Sequence, residues 1–294
     1  MRALPTRPLP TASARIRRHP GVARRIAVCA IRSLHAELAL YPKPGLVSLR
    51  DRGAHTDMDA ATFLRSMTAL RRYFADIATA GADGAAFAEL RSLGVAAELR
   101  MLAATGGVNT HRGAIFTLGL FAAAAGVVLV RNHAPADAQF VRVIGGWRTA
   151  LTAFPIDAQA AVSHGRVVAR GHGTGGARAE AASGFPAVFR VGLPALRLAL
   201  RCGADVEAAK LHALFALLAH VADTNLLYRG GRDGLAYVRC HAQAFLRDGG
   251  VFGHGWRERA EALHRCCTVR RLSPGGSADL WSACWFVHQL QRHA

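Results

Sequence analysis

Residues 105–112 bring together side chains that could bind an anion and donate a proton. The run reads Thr-Gly-Gly-Val-Asn-Thr-His-Arg, and an uncharged run from Gly113 to Val130 follows it. If that run is a helix, its free N–H groups and positive dipole end point at these side chains, which predicts an anion site within an active site. The alternative is a plain glycine turn with an Asn or Thr cap. The residues in question are Gly106, Gly107, Asn109, Thr110, His111 and Arg112.

Three further glycine pairs repeat this arrangement, at positions 175–176, 230–231 and 275–276. Each lies beside an Arg, Asp, Asn or Thr, and most precede a helical pattern. We expect these corners to converge on one phosphate-rich ligand. Lys43, on the rigid Pro42-Lys43-Pro44 loop, could contact phosphate or be a solvated lysine. Further phosphate candidates are Arg178, Glu180, Asn225, Arg229, Gly275, Gly276 and Ser277.

Carboxylates near the same corners could act as bases or hold a hard cation. Asp57 and Asp59 lie two residues apart before a helix, where they could cap it or bind Mg²⁺ through oxygen. Asp223 and Asp279 begin two later helices and are also expected at a metal site. Glu98 precedes the glycine corner and could orient a substrate hydroxyl, or pair with Arg100 or Arg112.

Helical periodicity runs through most of the chain and predicts an all-α fold, a single helical bundle. Aromatic residues are scarce at 7%, hydrophobic residues reach 51%, and alanine is abundant. The run Gly113 to Val130 is the predicted central helix because it is apolar on every side. A membrane span is its alternative, although the run is slightly short of the roughly 20 residues needed. We prefer the buried helix and expect no membrane association.

Two segments invite other interpretations. Residues 1–22 are rich in Arg and Pro and lack a secretion signal; a disordered tail is preferred to a transit peptide, leaving 23–294 as one catalytic domain. Gly171, Gly173 and Gly176 form a literal G-x-G-x-x-G. A Rossmann fold is rejected because no β-α-β pattern surrounds it and no acidic residue lies about 20 positions on.

The formal charge of +18 comes from 37 basic against 19 acidic residues, almost all of the former arginine. Basic residues form no long block after the N-terminus and do not alternate with aromatics, so we expect no nucleic-acid partner. None of the six cysteines forms C-x-x-C, and no zinc spacing occurs. The cysteines suit a reducing cytoplasm. A homodimer is a further expectation.

Six segments in order resemble the triphosphoribosyl-dephospho-CoA synthase family. They are PKPGLV (42–47), GAHTDMD (53–59), TGGVNTHRGAIF (105–116), GARAEAASGFP (176–186), DTNLLYRGG (223–231) and SPGGSADL (273–280). The resemblance implies a helical enzyme that condenses ATP with 3′-dephospho-CoA and releases adenine. The product is the prosthetic-group precursor of malonate decarboxylase or citrate lyase, and we favour malonate decarboxylase. Ser48 stands where the family commonly has Asp, and Arg112 where it has Lys.

The chemistry suggests roles for the candidate residues. Asp57 or Glu98 would take the hydroxyl proton, and His111 would donate to adenine or a phosphate. Mg²⁺ would accompany the ATP triphosphate on Asp57, Asp59, Asp223 or Asp279. The alternatives are a Mg²⁺-dependent ribosyl hydrolase and a basic helical protein that binds polyanions.

Overall fold

The computed structural model describes residues 19–131, 135–153 and 175–292, and they form twelve α-helices without a strand. The all-α prediction is confirmed. The helices are α1 Pro20–Ala39, α2 Ala60–Ala82, α3 Phe87–Thr105, α4 Arg112–Arg131, α5 Asp137–Gly146, α6 Arg148–Ala153, α7 Gly176–Ala182, α8 Leu193–Arg201, α9 Val206–His220, α10 Thr224–Arg247, α11 Trp256–Val269 and α12 Gly275–Arg292. A π-helical turn, Ala187–Gly192, leads into α8, and a 3₁₀ turn, Gly250–Phe252, precedes α11.

The predicted central helix is α4, which packs against α1, α2, α3, α5 and α12. Its length and composition alone would let it cross a membrane, but 78% of its most apolar 18-residue stretch is buried inside the protein. The side chains along it from Ala114 to Ala125 are almost all buried. A helix that is apolar all round is thus surrounded by other helices, as its composition requires.

Helices α2 and α4 approach one another at backbone distance. A Cβ added to Gly81 or Gly126 would overlap the carbonyl of Ala123 or Ala78 on the opposite helix, and one added to Gly119 would overlap the Tyr73 hydroxyl. Because small residues occupy these crossings, the two backbones lie closer than ordinary side chains would permit. The middle and C-terminal half of α4 therefore pack closely against α2.

Several helix boundaries differ from those that periodicity predicts. Periodicity predicts a glycine turn at 228–234 and then a helix from about Leu235 to Arg247. In the structure this helix, α10, begins at Thr224, because the Asp223 carboxylate caps it, and Gly231 at φ 62° kinks it. Periodicity also predicts a single helix over 137–154, but the structure breaks it at Trp147, after Gly145 and Gly146. Helix α1 starts at Pro20, within the residues assigned to the N-terminal tail, because proline is favourable in a first turn. The rest of that tail lies outside the described residues.

Candidate active site

One pocket lies where the N-termini of four helices meet. The segments leading into α2, α4 and α12 and the first turn of α10 line it, and Leu34 and Glu37 of α1 add to its wall. Its cavity volume is about 190 Å³. Four positive dipole ends around one cavity favour a negatively charged ligand.

Three consecutive residues on the pocket wall carry buried polar atoms without a partner. Eight such side-chain atoms occur in the described residues, and three of them are Thr110 Oγ1, His111 Nε2 and Arg112 Nε. All three residues line the pocket. Leaving a buried polar group unpaired costs free energy, so clustered orphan atoms in a cavity indicate a ligand that completes them.

His111 is held as a neutral ring. Its Nδ1 lies 2.6 Å from Ser66 Oγ, the edge of Phe63 packs on it, and its side chain is buried. Burial, with a smaller effect of the Lys43 charge, lowers the pKa of His111 to about 3. The imidazole therefore meets a ligand uncharged at neutral pH.

Arg112 is shared between the pocket and α3. Its guanidinium pairs with the Glu98 carboxylate, and its backbone N–H donates to Asn109 Oδ1 at 3.2 Å. Asn109 thus has the capping role that sequence reasoning offered as an alternative to ligand binding. Glu98 does not line the pocket. Since Arg112 occupies its carboxylate, we leave Glu98 out of the proposed chemistry.

His55, which sequence reasoning did not single out, lies at the centre of a second polar group. Arg229 Nη2 donates to its Nδ1 at 3.1 Å, and its Nε2 lies 2.9 Å from Ser273 Oγ. A guanidinium only donates, so Nδ1 accepts and the ring hydrogen is on Nε2, directed at Ser273. Burial and the charge of Arg229 lower the pKa of His55 to about 4, against the opposing effect of Asp57, whose Oδ1 lies 3.6 Å from Nδ1.

The loop that carries His55 and Asp57 is anchored from α11. His264 Nδ1 lies 2.5 Å from the Lys43 carbonyl, and its Nε2 lies 3.1 Å from Asp51 Oδ2. Ser48 Oγ accepts the backbone N–H groups of Arg50 and Asp51. A serine at this position therefore closes a turn, which an aspartate could also do.

Asp223 joins two helices and has no acceptor position left. Its Oδ1 accepts the N–H groups of Asn225 and Leu226, and its Oδ2 accepts both the N–H and the hydroxyl of Ser277. Four hydrogen bonds fill the lone pairs of a carboxylate. Asp223 and Ser277 thus link α10 to α12 by hydrogen bonds, and neither residue lines the pocket.

Asp279 and Glu37 add negative charge to the pocket. Asp279 lines it and has no hydrogen bond within the described residues. Burial, then the charges of Glu37 and Asp223, raise the pKa of Asp279 well above its usual range. Glu37 Oε1 pairs at 2.6 Å with Lys43 Nζ, which also donates to the Glu37 carbonyl. Because Lys43 is 1% exposed and occupied by Glu37, it does not reach the pocket.

A magnesium ion fits part of the acidic set. No group of three or more His, Cys, Asp or Glu side chains in the described residues could hold a metal ion alone. Mg²⁺ needs only one or two carboxylates when substrate phosphates complete its shell, and Asp57 and Asp279 line the pocket. Asp59 is a less suitable magnesium ligand, because it caps α2 through Thr62 and pairs with Arg52. Asp223 is also less suitable, because its four hydrogen bonds leave no lone pair for a metal.

The remaining predicted residues divide between the pocket and its surroundings. Asn225, Arg229 and Gly275 line it, and Gly276 lies behind them against Asp223. Gly106 and Gly107 adopt positive φ to end α3 and do not line it. Arg178 and Glu180 lie on α7, away from the pocket wall, where Glu180 Oε1 accepts the Ala187 N–H at 2.6 Å. The glycine corner at 175–176 lies near α10, since a Cβ on Gly176 would meet Thr224.

Comparison with known proteins shows the family to which the chain belongs. Residues 23–294 match the model of the CitG family, described as ATP:dephospho-CoA triphosphoribosyl transferase. A Pectobacterium atrosepticum protein named 2-(5''-triphosphoribosyl)-3'-dephosphocoenzyme-A synthase is 38% identical, covering 87% of this chain and 86% of its own length. Probable synthases of the same name from Pectobacterium carotovorum and Salmonella typhimurium are 38% and 40% identical over 92% and 87% of this chain, and 89% and 87% of their own. No solved structure matches.

Proposed function

Because the chain belongs to the family of ATP:dephospho-CoA triphosphoribosyl transferases, we propose that it condenses ATP with 3′-dephospho-CoA and releases adenine. The observation that carries the proposal is that residues 110–112, which line a pocket built from helix N-termini, each hold a buried polar atom without a partner in the described residues. Such a pocket suits a nucleotide polyphosphate, which is the substrate class of the family.

The reaction is one displacement at C1′ of the ATP ribose. The 2′-hydroxyl oxygen of dephospho-CoA forms the new bond as the C1′–N9 bond breaks, and N9 of adenine takes the electron pair. The hydroxyl proton goes to a base, and adenine gains a hydrogen bond or a proton. The triphosphate stays on the ribose, so the protein must hold it without cleaving it.

The side of the pocket formed by α10 and α12 is the proposed triphosphate site. Arg229 and Ser273 lie there beside Gly275 in the first turn of α12. Since Ser273 Oγ accepts from His55, its own hydrogen is available for a phosphate oxygen. Arg112 adds a cation from α4. Guanidinium groups and helix N-termini are well matched to phosphate.

Asp279 and Asp57 are the residues that would hold magnesium. The magnesium would offset the repulsion between these carboxylates and the triphosphate, and would also polarise the phosphate oxygens. Asp57 is also the proposed base, because its side chain is 59% exposed at the pocket rim, where an incoming hydroxyl can reach a carboxylate oxygen. His111 is the proposed hydrogen-bond donor to departing adenine, beside the apolar side chains of Met58 and Phe63.

The test measures adenine release from ATP with and without 3′-dephospho-CoA. We expect release to require both substrates and to fall at least 100-fold in Asp57→Asn and Asp279→Asn, while Asp233→Asn, on an exposed part of α10, is unchanged. Adenine release that is independent of dephospho-CoA would favour the ribosyl hydrolase instead. Full activity in both carboxylate variants would refute the site.

We further propose that the product serves a malonate decarboxylase rather than a citrate lyase. The measurement uses the proteins of the chain's natural host. Labelled product is given to the apo acyl-carrier subunit of each system together with that system's own transferase, and transfer of the label is measured. Labelling of the citrate lyase subunit alone would reverse this choice.

A further inference from the structure

We propose that Ser66 is a positioning residue that locks His111 in one tautomer, with the ring hydrogen on Nε2, so that the ring offers an N–H donor to the pocket. The tautomer follows from the geometry alone. Its effect on catalysis rests on the proposed function.

The Ser66 hydroxyl has one hydrogen to donate and, within the described residues, one acceptor for it. Its side chain on α2 is fully buried, and its only hydrogen-bond partner within the described residues is His111 Nδ1, at 2.6 Å. If Nδ1 carried the hydrogen, the Ser66 hydroxyl would be left as a buried donor without an acceptor. The arrangement that satisfies both groups has Ser66 donating and Nδ1 accepting. A neutral ring then carries its hydrogen on Nε2.

The other ring nitrogen of His111, Nε2, is the atom that a ligand could complete. Nε2 is buried, has no partner within the described residues, and belongs to a residue that lines the pocket. His111 is itself only 4% exposed. Because no acceptor for it lies within the described residues, an N–H in this position is available to a ligand lone pair, such as a ring nitrogen of adenine or a phosphate oxygen. A neutral donor can stabilise negative charge that develops on a leaving purine without titrating near neutral pH.

The same arrangement occurs at His55 with a different donor. There Arg229 takes the place of the serine at Nδ1, and Nε2 again carries the hydrogen. Two pocket histidines thus have their Nδ1 atoms occupied by donors from other elements. This repetition supports tautomer control as a property of the site.

The kinetic test compares Ser66→Ala with Ser33→Ala. Ser33 is an equally buried helical serine, but it donates to the Cys29 carbonyl and does not line the pocket. We expect Ser66→Ala to lower kcat about 10- to 100-fold with the KM for ATP changed less than about twofold, and Ser66→Thr, which keeps the hydroxyl, to recover most of the loss. Ser33→Ala should match wild type. Equal losses in both alanine variants would overturn the proposal.

A double variant separates positioning from general packing. In a His111→Asn background, Ser66→Ala should cause no further loss of kcat, because the ring that it orients is gone. A further loss as large as in wild type would contradict the proposal. Substrate analogues identify the acceptor: 1-deaza-, 3-deaza- and 7-deaza-ATP should each be tested, and loss of the His111 dependence with one of them assigns that adenine nitrogen. Full dependence with all three assigns a phosphate oxygen.

Nitrogen NMR of ¹⁵N-histidine-labelled protein reads the tautomer directly and needs no substrate. His111 is assigned from the signal lost in His111→Asn, and it should show a single neutral Nε2–H tautomer. Ser66→Ala should give a mixture of tautomers. A wild-type ring protonated on Nδ1 would overturn the inference even if the transferase activity is confirmed. Conversely, absence of adenine release would refute the proposed function while leaving the tautomer assignment intact.

Discussion

Gly113 and Asp279 touch across the N-termini of α4 and α12, so closely that a Cβ on Gly113 would overlap Asp279 Oδ2. Gly113 is thus the side-chain-free position that leaves room for the Asp279 carboxylate. This contact links two helices whose N-terminal residues line the pocket.

Gly113→Ala should displace Asp279 and lower kcat/KM for ATP by on the order of 100-fold, since misplacement by about 1 Å has effects of that size. Alanine is the better helix former, so the melting temperature should not fall for reasons of propensity. Gly145→Ala is the matched control, because a Cβ there meets nothing within 4 Å. Normal kinetics in Gly113→Ala would show that the contact is not needed.

Asp223→Asn should lower the free energy of unfolding by about 3 kcal/mol, because an amide NH₂ would face the Ser277 donors that the carboxylate now satisfies. Urea denaturation measures the change. Asp205→Asn is the control: Asp205 caps α9 by accepting only from Ala208, and asparagine is an equally good cap. Similar losses in both variants would mean that the link between α10 and α12 contributes nothing special.

Lys43→Met should destabilise the protein by about 3–5 kcal/mol, since it leaves the buried Glu37 carboxylate without its cation. Lys43→Met combined with Glu37→Gln should recover much of that loss. Thermal or urea unfolding of Lys43→Met, Glu37→Gln and the double variant gives the coupling free energy between the two side chains. A double variant no more stable than Lys43→Met would show that the ion pair is not the cause.

Arg229→Lys should raise the KM for ATP about 10- to 100-fold, the range expected when a charge-assisted hydrogen bond is lost. It also removes the donor at His55 Nδ1, which a lysine cannot supply in the same geometry. Arg232→Lys, three residues along α10 and outside the pocket wall, should leave the KM unchanged. An unaltered KM in Arg229→Lys would move the triphosphate away from α12.

Stability should fall on acidification, and His111 should account for part of the slope. Its pKa is about 3 in the folded protein against 6.5 unfolded, so below pH 6.5 the unfolded chain binds a proton that the folded chain does not. The native state therefore loses about 1.4 kcal/mol per pH unit between roughly 6 and 3.5 from this group. Asp279, with its raised pKa, acts in the opposite direction.

His111→Asn isolates that contribution. Urea unfolding of wild type and variant across pH 4–7 should show the shallower pH dependence in the variant. Parallel curves would mean that the pKa of His111 does not change on folding.

Sequence reasoning pointed to the residues before α4, which line the pocket, but of the four glycine pairs only the last contributes a pocket-lining residue, Gly275. The α4 junction was predicted because a glycine pair, polar residues and an apolar run are consecutive. His55 was missed because its role depends on Arg229 and Ser273, which lie 174 and 218 residues away. Glu37 was missed because it lies in an amphipathic helix, where one acidic residue resembles solvated surface. Asp223 looked like a metal ligand because the sequence does not show that Ser277 saturates it.

The glycine crossings between α2 and α4 set a limit on how this protein can diverge. Residues 81, 119 and 126 lie away from the pocket lining, yet enlarging one of them would force the two helices apart and shift Ser66 relative to His111. Substitutions at these glycines would therefore lower activity even though the residues do not contact a substrate. Among relatives, these three crossings should stay small even where the neighbouring core has been rebuilt.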